Sequence, residues 1–270
     1  MKPISIITGG AGGMGLATAK CMGRDHHVLL SDVNAQRLDA AVSELRRDGV
    51  TCDATVCDIS QRASVDALFQ QAAALGTVSS VIHTAGLSPQ MAKPEVILRV
   101  NAVGTIYVTE AALRLAREGF ALINVASMAG HMVPSWLLPT GGYPRSFTDP
   151  EAFFRKTFFP LRFLPKGLAQ TGMAYSVSKH FVIWYSKKNA ARFGEKGARV
   201  LSVSPGSFET EMGRLEEKSG SAKMLETAAL KRFGKPEEIA ELLAFCASAK
   251  CGYLTGTDIL CDGGVIAGRS

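Results

Sequence analysis

Thr8-Gly9-Gly10-Ala11-Gly12-Gly13-Met14-Gly15 follows a short β-rich run at residues 4–8 and leads straight into an amphipathic stretch at 15–23. Glycines, lacking a Cβ, let a chain turn tightly and let its backbone approach a ligand closely. A helix starting at such a turn offers unpaired N–H groups and the positive end of its dipole to an anion. Strand, glycine turn and helix in that order predict a cradle for a dinucleotide pyrophosphate, with Gly9, Gly13, Met14 and Gly15 as its contacts.

Outward from this turn the same rhythm continues. β-rich runs at 28–31, 55–56, 78–83, 121–126, 199–203 and 258–261 alternate with helical stretches at 35–47, 63–75, 103–117 and 174–193. Such alternation predicts an α/β fold: a single-domain Rossmann fold over 1–270, with a doubly wound parallel sheet and helices on both faces. No internal repeat, linker or low-complexity tract divides the chain. The rhythm breaks once, at an inserted segment of about 131–173 that holds Trp136, Tyr143, Phe147, Phe153, Phe154, Phe158, Phe159 and Phe163. Asp149-Pro150-Glu151 supplies an N-cap, a proline at the first helical position and an early acid, so a short helix is expected there, ending at Pro160.

Composition excludes several classes of function. With 270 residues, 47% hydrophobic and 20% charged, the chain can bury a large core. Its apolar runs read as too short to span a bilayer, and the β-rich run beginning at Ile4 leaves no space for a secretory leader, so a cytoplasmic protein without a membrane partner is expected. Six cysteines form no CxxC pair, and no metal site is expected. The net charge of +6 is scattered, so an anionic cofactor explains it and no nucleic-acid partner is expected.

Two further positions carry chemistry. Asp32 closes the second strand, where a carboxylate accepts hydrogen bonds from both ribose hydroxyls of NAD and repels a 2′-phosphate; the structural alternative is a turn or cap aspartate. Val33 follows in place of a cation, although Arg37 is within reach, and the expected cofactor is NAD in preference to NADP. Tyr175-Ser176-Val177-Ser178-Lys179 opens a helix that sets Tyr175 and Lys179 on one face, and an ammonium beside a phenol favours the phenolate.

Together with the glycine turn, these residues resemble the short-chain dehydrogenase/reductase family over almost the whole chain. Residues 8–15 match the family's TGxxxGxG; Asp58, followed by Ile59, matches its adenine-side acid; Thr84-Ala85-Gly86 stands where the family has Asn-Ala-Gly, with His83 and Thr84 replacing two asparagines. Asn101, Ser127, Tyr175 and Lys179 match the catalytic tetrad in type and order. Pro205-Gly206-Ser207-Phe208-Glu209-Thr210 matches the nicotinamide loop, while Gly256 and Asp262-Gly263-Gly264 match a C-terminal signature read as structural.

The resemblance implies an alcohol–ketone oxidoreductase in which Tyr175 is the acid/base, Ser127 orients the substrate oxygen, Lys179 binds the nicotinamide ribose and Asn101 holds a water linking the lysine to solvent. It also implies Ala85, Gly86, Pro205, Gly206, Phe208 and Thr210 as cofactor contacts, a lid over 214–226 and a homodimer or homotetramer. The insertion and Ala85-Gly86-Leu87-Ser88-Pro89-Gln90 most resemble bacterial hydroxysteroid dehydrogenases and carbonyl reductases, which implies a bulky apolar or steroid-like substrate. The insertion's aromatics have three readings: a wall of the substrate pocket, an oligomer interface or a private core. A different class of function, an NAD-binding regulatory module without catalysis, is the alternative to the enzyme.

Overall fold

β1 (Ile4–Thr8) is buried along its entire length, so its apolar residues face protein on both sides. That is the condition of a parallel strand covered by helices on both faces. The computed structural model describes residues 2–216, 225–226 and 228–269. Six more strands join β1: β2 (His27–Asp32), β3 (Cys52–Val56), β4 (Val78–His83), β5 (Ala121–Val125), β6 (Arg199–Pro205) and β7 (Asp258–Cys261). All pair in parallel, in the order β3-β2-β1-β4-β5-β6-β7. The order reverses between β1 and β4, which leaves a crevice beyond the strands' carboxyl ends.

The first layer of helices is α1 (Gly13–Met22) and α2 (Ala35–Arg47), joined by α9 (Pro236–Ala247). Ala19, Leu38, Leu45 and Leu243 bury there against Ile7, Leu30 and Ile123. The opposite layer holds α3 (Arg62–Leu75), α5 (Gly104–Leu115) and the long α7 (Leu168–Gly194). Leu68, Val108 and Phe193 pack there against Ile4, Ile6 and Leu122. Successive strand residues thus feed opposite layers, as period-2 geometry requires.

Three expectations need correction. α7 begins at Leu168, ahead of Tyr175, because Gly167 at φ +94° turns the chain and leaves the next residues free to wind into helix. Tyr175 is therefore inside a helix instead of opening one. α4 (Pro94–Leu98), a π-helical turn (Arg99–Val103) and α5 run on without a break. Pro94–Leu115 is thereby long and apolar enough to cross a membrane by composition, contrary to the reading of short apolar runs, yet the qualifying window is 67% buried inside the protein. Finally, α6 (Pro150–Phe158) forms with the Asp149 carboxylate accepting from the Ala152 N–H at 2.9 Å, but Pro160 enters a 3-10 turn (Phe159–Phe163) that extends the helix's path. α8 (Glu211–Glu216) carries the first residues of the expected 214–226 lid, most of which lies outside the described residues.

Candidate active site

The loops after β1, β4, β5 and β6 border one cleft of about 730 Å³. All the expected cofactor contacts face it: Gly9, Gly13, Met14, Gly15, Asp32, Val33, Asp58, Ile59, Ala85, Gly86, Tyr175, Lys179, Pro205, Gly206, Phe208 and Thr210. Sterics explain the glycines. A Cβ on Gly15 would collide with the Gly9 carbonyl, and one on Gly13 would stand 2.8 Å from Thr210 Cγ2. Gly12 caps α1 without a side-chain bond, which leaves the first-turn amides to a ligand. An uncapped helix N-terminus reached by a glycine turn suits an anionic group such as a dinucleotide's diphosphate.

At the adenosine end, Asp32 accepts from the Ala11 N–H at 3.3 Å and the Asn34 N–H at 3.1 Å. Asn34 is the residue that caps α2, through the Arg37 N–H, so Asp32 is not the helix cap. Arg37 lies 2.9 Å from Glu211, an ion pair reaching from α2 to α8, both of which border the cleft. Asp58 accepts from the Ser60 N–H and hydroxyl at 2.9 and 2.7 Å, which fixes its carboxylate at the cleft wall.

At the other end, Lys179 is buried, donates from Nζ to the Val125 carbonyl at 3.0 Å and stands 5.8 Å from the centre of the Tyr175 ring. Ser127 lies just past β5 and accepts from the Ala129 N–H at 3.2 Å, leaving its own proton to donate into the cleft. The turn after it is pressed onto α7: a Cβ on Gly130 would be 3.0 Å from the His180 nitrogen and the Lys179 carbonyl carbon. That close approach brings the serine beside the helical turn bearing Lys179.

Asn101 is the exception among the tetrad. It is buried in the π-helical turn and does not border the cleft. Its side chain accepts from the Leu87 N–H at 2.8 Å and donates to the Leu87 carbonyl and the Ser178 hydroxyl, at 2.9 and 3.1 Å. A Cβ on Gly86 would be 3.2 Å from Asn101 Oδ1 and 3.4 Å from Lys179 Nζ, so Gly86 lies between them. The asparagine clamps the β4 loop to α7.

His83, one of the two replaced asparagines, turns out to organise that clamp. Its Nδ1 is 2.7 Å from Thr8 Oγ1 and its Nε2 is 3.1 Å from Thr105 Oγ1. Thr105 has one hydroxyl proton and gives it to the Asn101 carbonyl at 2.7 Å, so it accepts from His83 Nε2–H. Nδ1 must then accept from Thr8, and a single neutral tautomer satisfies the network. Desolvation, reinforced by the nearby Lys179 charge, holds the imidazole down to about 3. Thr84 completes the joint by donating to the Thr8 carbonyl at 2.7 Å.

The insertion's aromatics do not border the cleft. Tyr143, Phe153 and Phe158 instead pack with Phe181 and Tyr185 of α7 and with Leu98 and Ile106 in a private core. Phe153 and Phe181 meet with ring centres 4.3 Å apart and their planes tilted by 34°, and Tyr143 meets Phe181 edge-on at 5.1 Å. A wall of aromatics around the substrate is thereby corrected. The apolar wall comes instead from Met91, Val96, Met128, Met132 and Leu215, which the sequence reading passed over. Residue type alone did not mark them: they lie on separate segments after β4, β5 and β6, two of them in the helices α4 and α8, and only the fold gathers them.

Comparison with known proteins agrees with this geometry. The family described as short chain dehydrogenase matches residues 3–138, and that described as Enoyl-(Acyl carrier protein) reductase matches residues 165–266. Short-chain dehydrogenase/reductase bsc3 of Alternaria brassicicola is 31% identical, covering 99% of this chain and 97% of its own. 3beta-hydroxysteroid dehydrogenase 2 of Eggerthella lenta is 27% identical, covering 96% and 93%. Among solved structures, levodione reductase is similar with a TM-score of 0.78 at 23% identity, over 98% of both chains. Actinorhodin polyketide ketoreductase with NADPH gives 0.77 at 21%, over 98% of this chain and 97% of its own; at such identity the likeness is one of fold.

Proposed function

The chain belongs to the short-chain dehydrogenase/reductase family of oxidoreductases, and from that membership we propose that it interconverts a secondary alcohol and a ketone, with NAD as hydride partner and Tyr175 as acid/base. The observation that carries this reading is the meeting of Tyr175, Lys179 and Ser127 at one end of the cleft whose other end is the glycine cradle. In the oxidative direction the Tyr175 phenolate takes the hydroxyl proton of the substrate. Ser127 donates a hydrogen bond to the same oxygen and orients it. Lys179 stabilises the phenolate by its charge, and Asn101 holds the loop against which the lysine rests. The bound nicotinamide supplies the carbon that takes, or returns, the hydride.

Preference for NAD is supported by Asp32, by the exposed Val33 beside it, and by the engagement with Glu211 of Arg37, the cation that borders this end of the cleft among the described residues. A bulky apolar substrate is supported by the methionine-rich wall of the cleft and by the likeness to a hydroxysteroid dehydrogenase. The chain works as one catalytic unit with 131–173 as an insertion. Association into a homodimer or homotetramer is supported by the exposed Leu260 on the edge strand β7, together with Phe245 and Tyr253.

The test is NADH formation with NAD and secondary alcohols from small alkanols to hydroxysteroids. Tyr175→Phe is expected to lower turnover by ~10²–10⁴-fold while NADH affinity stays near that of the parent, since only the proton carrier is lost. A variant of undiminished rate sinks the assignment. NADH binding without turnover on any alcohol or ketone would favour the regulatory module.

A further inference from the structure

The insertion turns one side inward and another to solvent. While Phe153 and Phe158 are buried, Phe159 is 58% exposed, Phe163 76% and Leu168 62%. The two exposed rings touch each other, centres 5.4 Å apart and nearly perpendicular, so they stand out as a pair. Gln170 of α7 donates to the Leu161 carbonyl at 2.9 Å, tying this turn to the first turn of α7, where Leu168 lies.

Along the chain from residue 152 to 194 the charge is of one sign. Arg155, Lys156, Arg162 and Lys166 are exposed and flank them in sequence. No aspartate or glutamate occurs between Glu151 and Glu195, and Glu151 is itself taken by Arg99 at 2.7 Å. Among the described residues, none of these four cations forms a close ion pair, although Arg155 acts at longer range on Glu151 one helical turn before it. The chain tolerates exposed aromatics here with no core to bury them and cations that form no close ion pair among the described residues.

We propose that this face, centred on Phe159 and Phe163, docks reversibly on an anionic lipid bilayer. Rings that insert at the headgroup boundary and lysines and arginines that meet acidic headgroups are the two components of such binding. A second copy of the chain fits less well: a two-fold interface would set each cluster of cations against its own image. The expectation of no membrane partner rested on spanning segments, and surface docking needs none. The face stands one helical turn from the cleft, since Gly172 borders the cleft and Leu168 precedes it on α7.

Co-sedimentation with phosphatidylcholine vesicles, with and without phosphatidylserine, tests the proposal on the whole chain. The protein is expected to sediment with the acidic vesicles, to do so far less with neutral ones, and to be released by salt. Phe159→Ser with Phe163→Ser, and separately Arg155→Gln, Lys156→Gln, Arg162→Gln and Lys166→Gln together, should each weaken binding at least about tenfold. All six side chains are exposed outside the cleft, so NADH affinity should hold in both variants; Phe163→Ser alone gives a milder second probe. Absence of binding to acidic vesicles, equal binding to neutral ones, or unchanged binding by the variants overturns the proposal. So does a fall in sedimenting mass in the phenylalanine variant, which would make the face an interface between copies, or a preference for single-stranded DNA over acidic vesicles. Because no turnover is read, failure here leaves the alcohol–ketone reading standing, and the reverse also holds.

Discussion

The cradle at residues 8–15 and the insertion at 131–173 each concentrate one kind of residue, glycine in the first and aromatic in the second, and they use it in opposite ways. Glycines act by what they omit, letting the Gly9 carbonyl and Thr210 approach α1 where side chains would collide. The aromatics act by what they fill, a core between α6 and α7 that leaves the cleft untouched. A region rich in one residue type is therefore functional or structural according to what its neighbours are, and composition alone does not separate the two.

The sharpest way to break that contrast is Phe153→Ala. It removes a fully buried ring packed against Phe181 and should cost about 3–5 kcal/mol by denaturant unfolding, with NADH affinity little changed. Loss of NADH affinity in a folded variant would join the two regions. Gly15→Ala acts on the other side. Collision with the Gly9 carbonyl should weaken NADH binding by at least about tenfold, or ~1.4 kcal/mol, in a calorimetric titration. Retained affinity would show that the cradle yields.

His83 lies beside the cradle, joining β1 to α5. Its folded-state pKa is depressed to about 3 from 6.5, so on acidification the unfolded chain takes up the proton first. The associated stability is complete above pH 6.5 and is withdrawn as pH falls toward 3, by roughly 1.4 kcal/mol per unit. His83→Asn should flatten that slope in urea titrations between these limits; an unchanged slope would mean that other groups carry the acid sensitivity. Smallest is Glu211→Gln. Freeing Arg37 from a solvent-exposed pair should improve the kcat/KM for NADP relative to NAD by about twofold to fivefold, and adding Arg37→Ala should cancel the gain. No change in the ratio would remove Glu211 from cofactor choice.

Much of the fold was legible because its signals are local. α2 at Ala35–Arg47, β4 at Val78–His83 and β7 at Asp258–Cys261 fall where periodicity and turn residues put them. The start of α7 at Leu168 lay inside the stretch assigned to the insertion, and it is a tertiary contact, Gln170 donating to the Leu161 carbonyl with Met173 packed on the insertion's core, that holds this first part of the helix. Ser127, Tyr175 and Lys179 were legible through residue type and order. The burial of Asn101 behind Gly86 was not, because it depends on a π-helical turn and on a loop from another strand.

Left to itself, the sequence determined the alternation of strands and helices, the glycine turn that admits a phosphate and the family to which the chain belongs, since each rests on neighbouring residues and on backbone sterics. Tertiary structure alone decided that the aromatics make a core and not a pocket, that methionines wall the cleft, that neutral His83 serves where asparagine usually stands, and that Phe159 and Phe163 are left facing solvent among exposed cations. Those outcomes depend on which surfaces distant segments bury against one another, and burial is a property of the assembled chain.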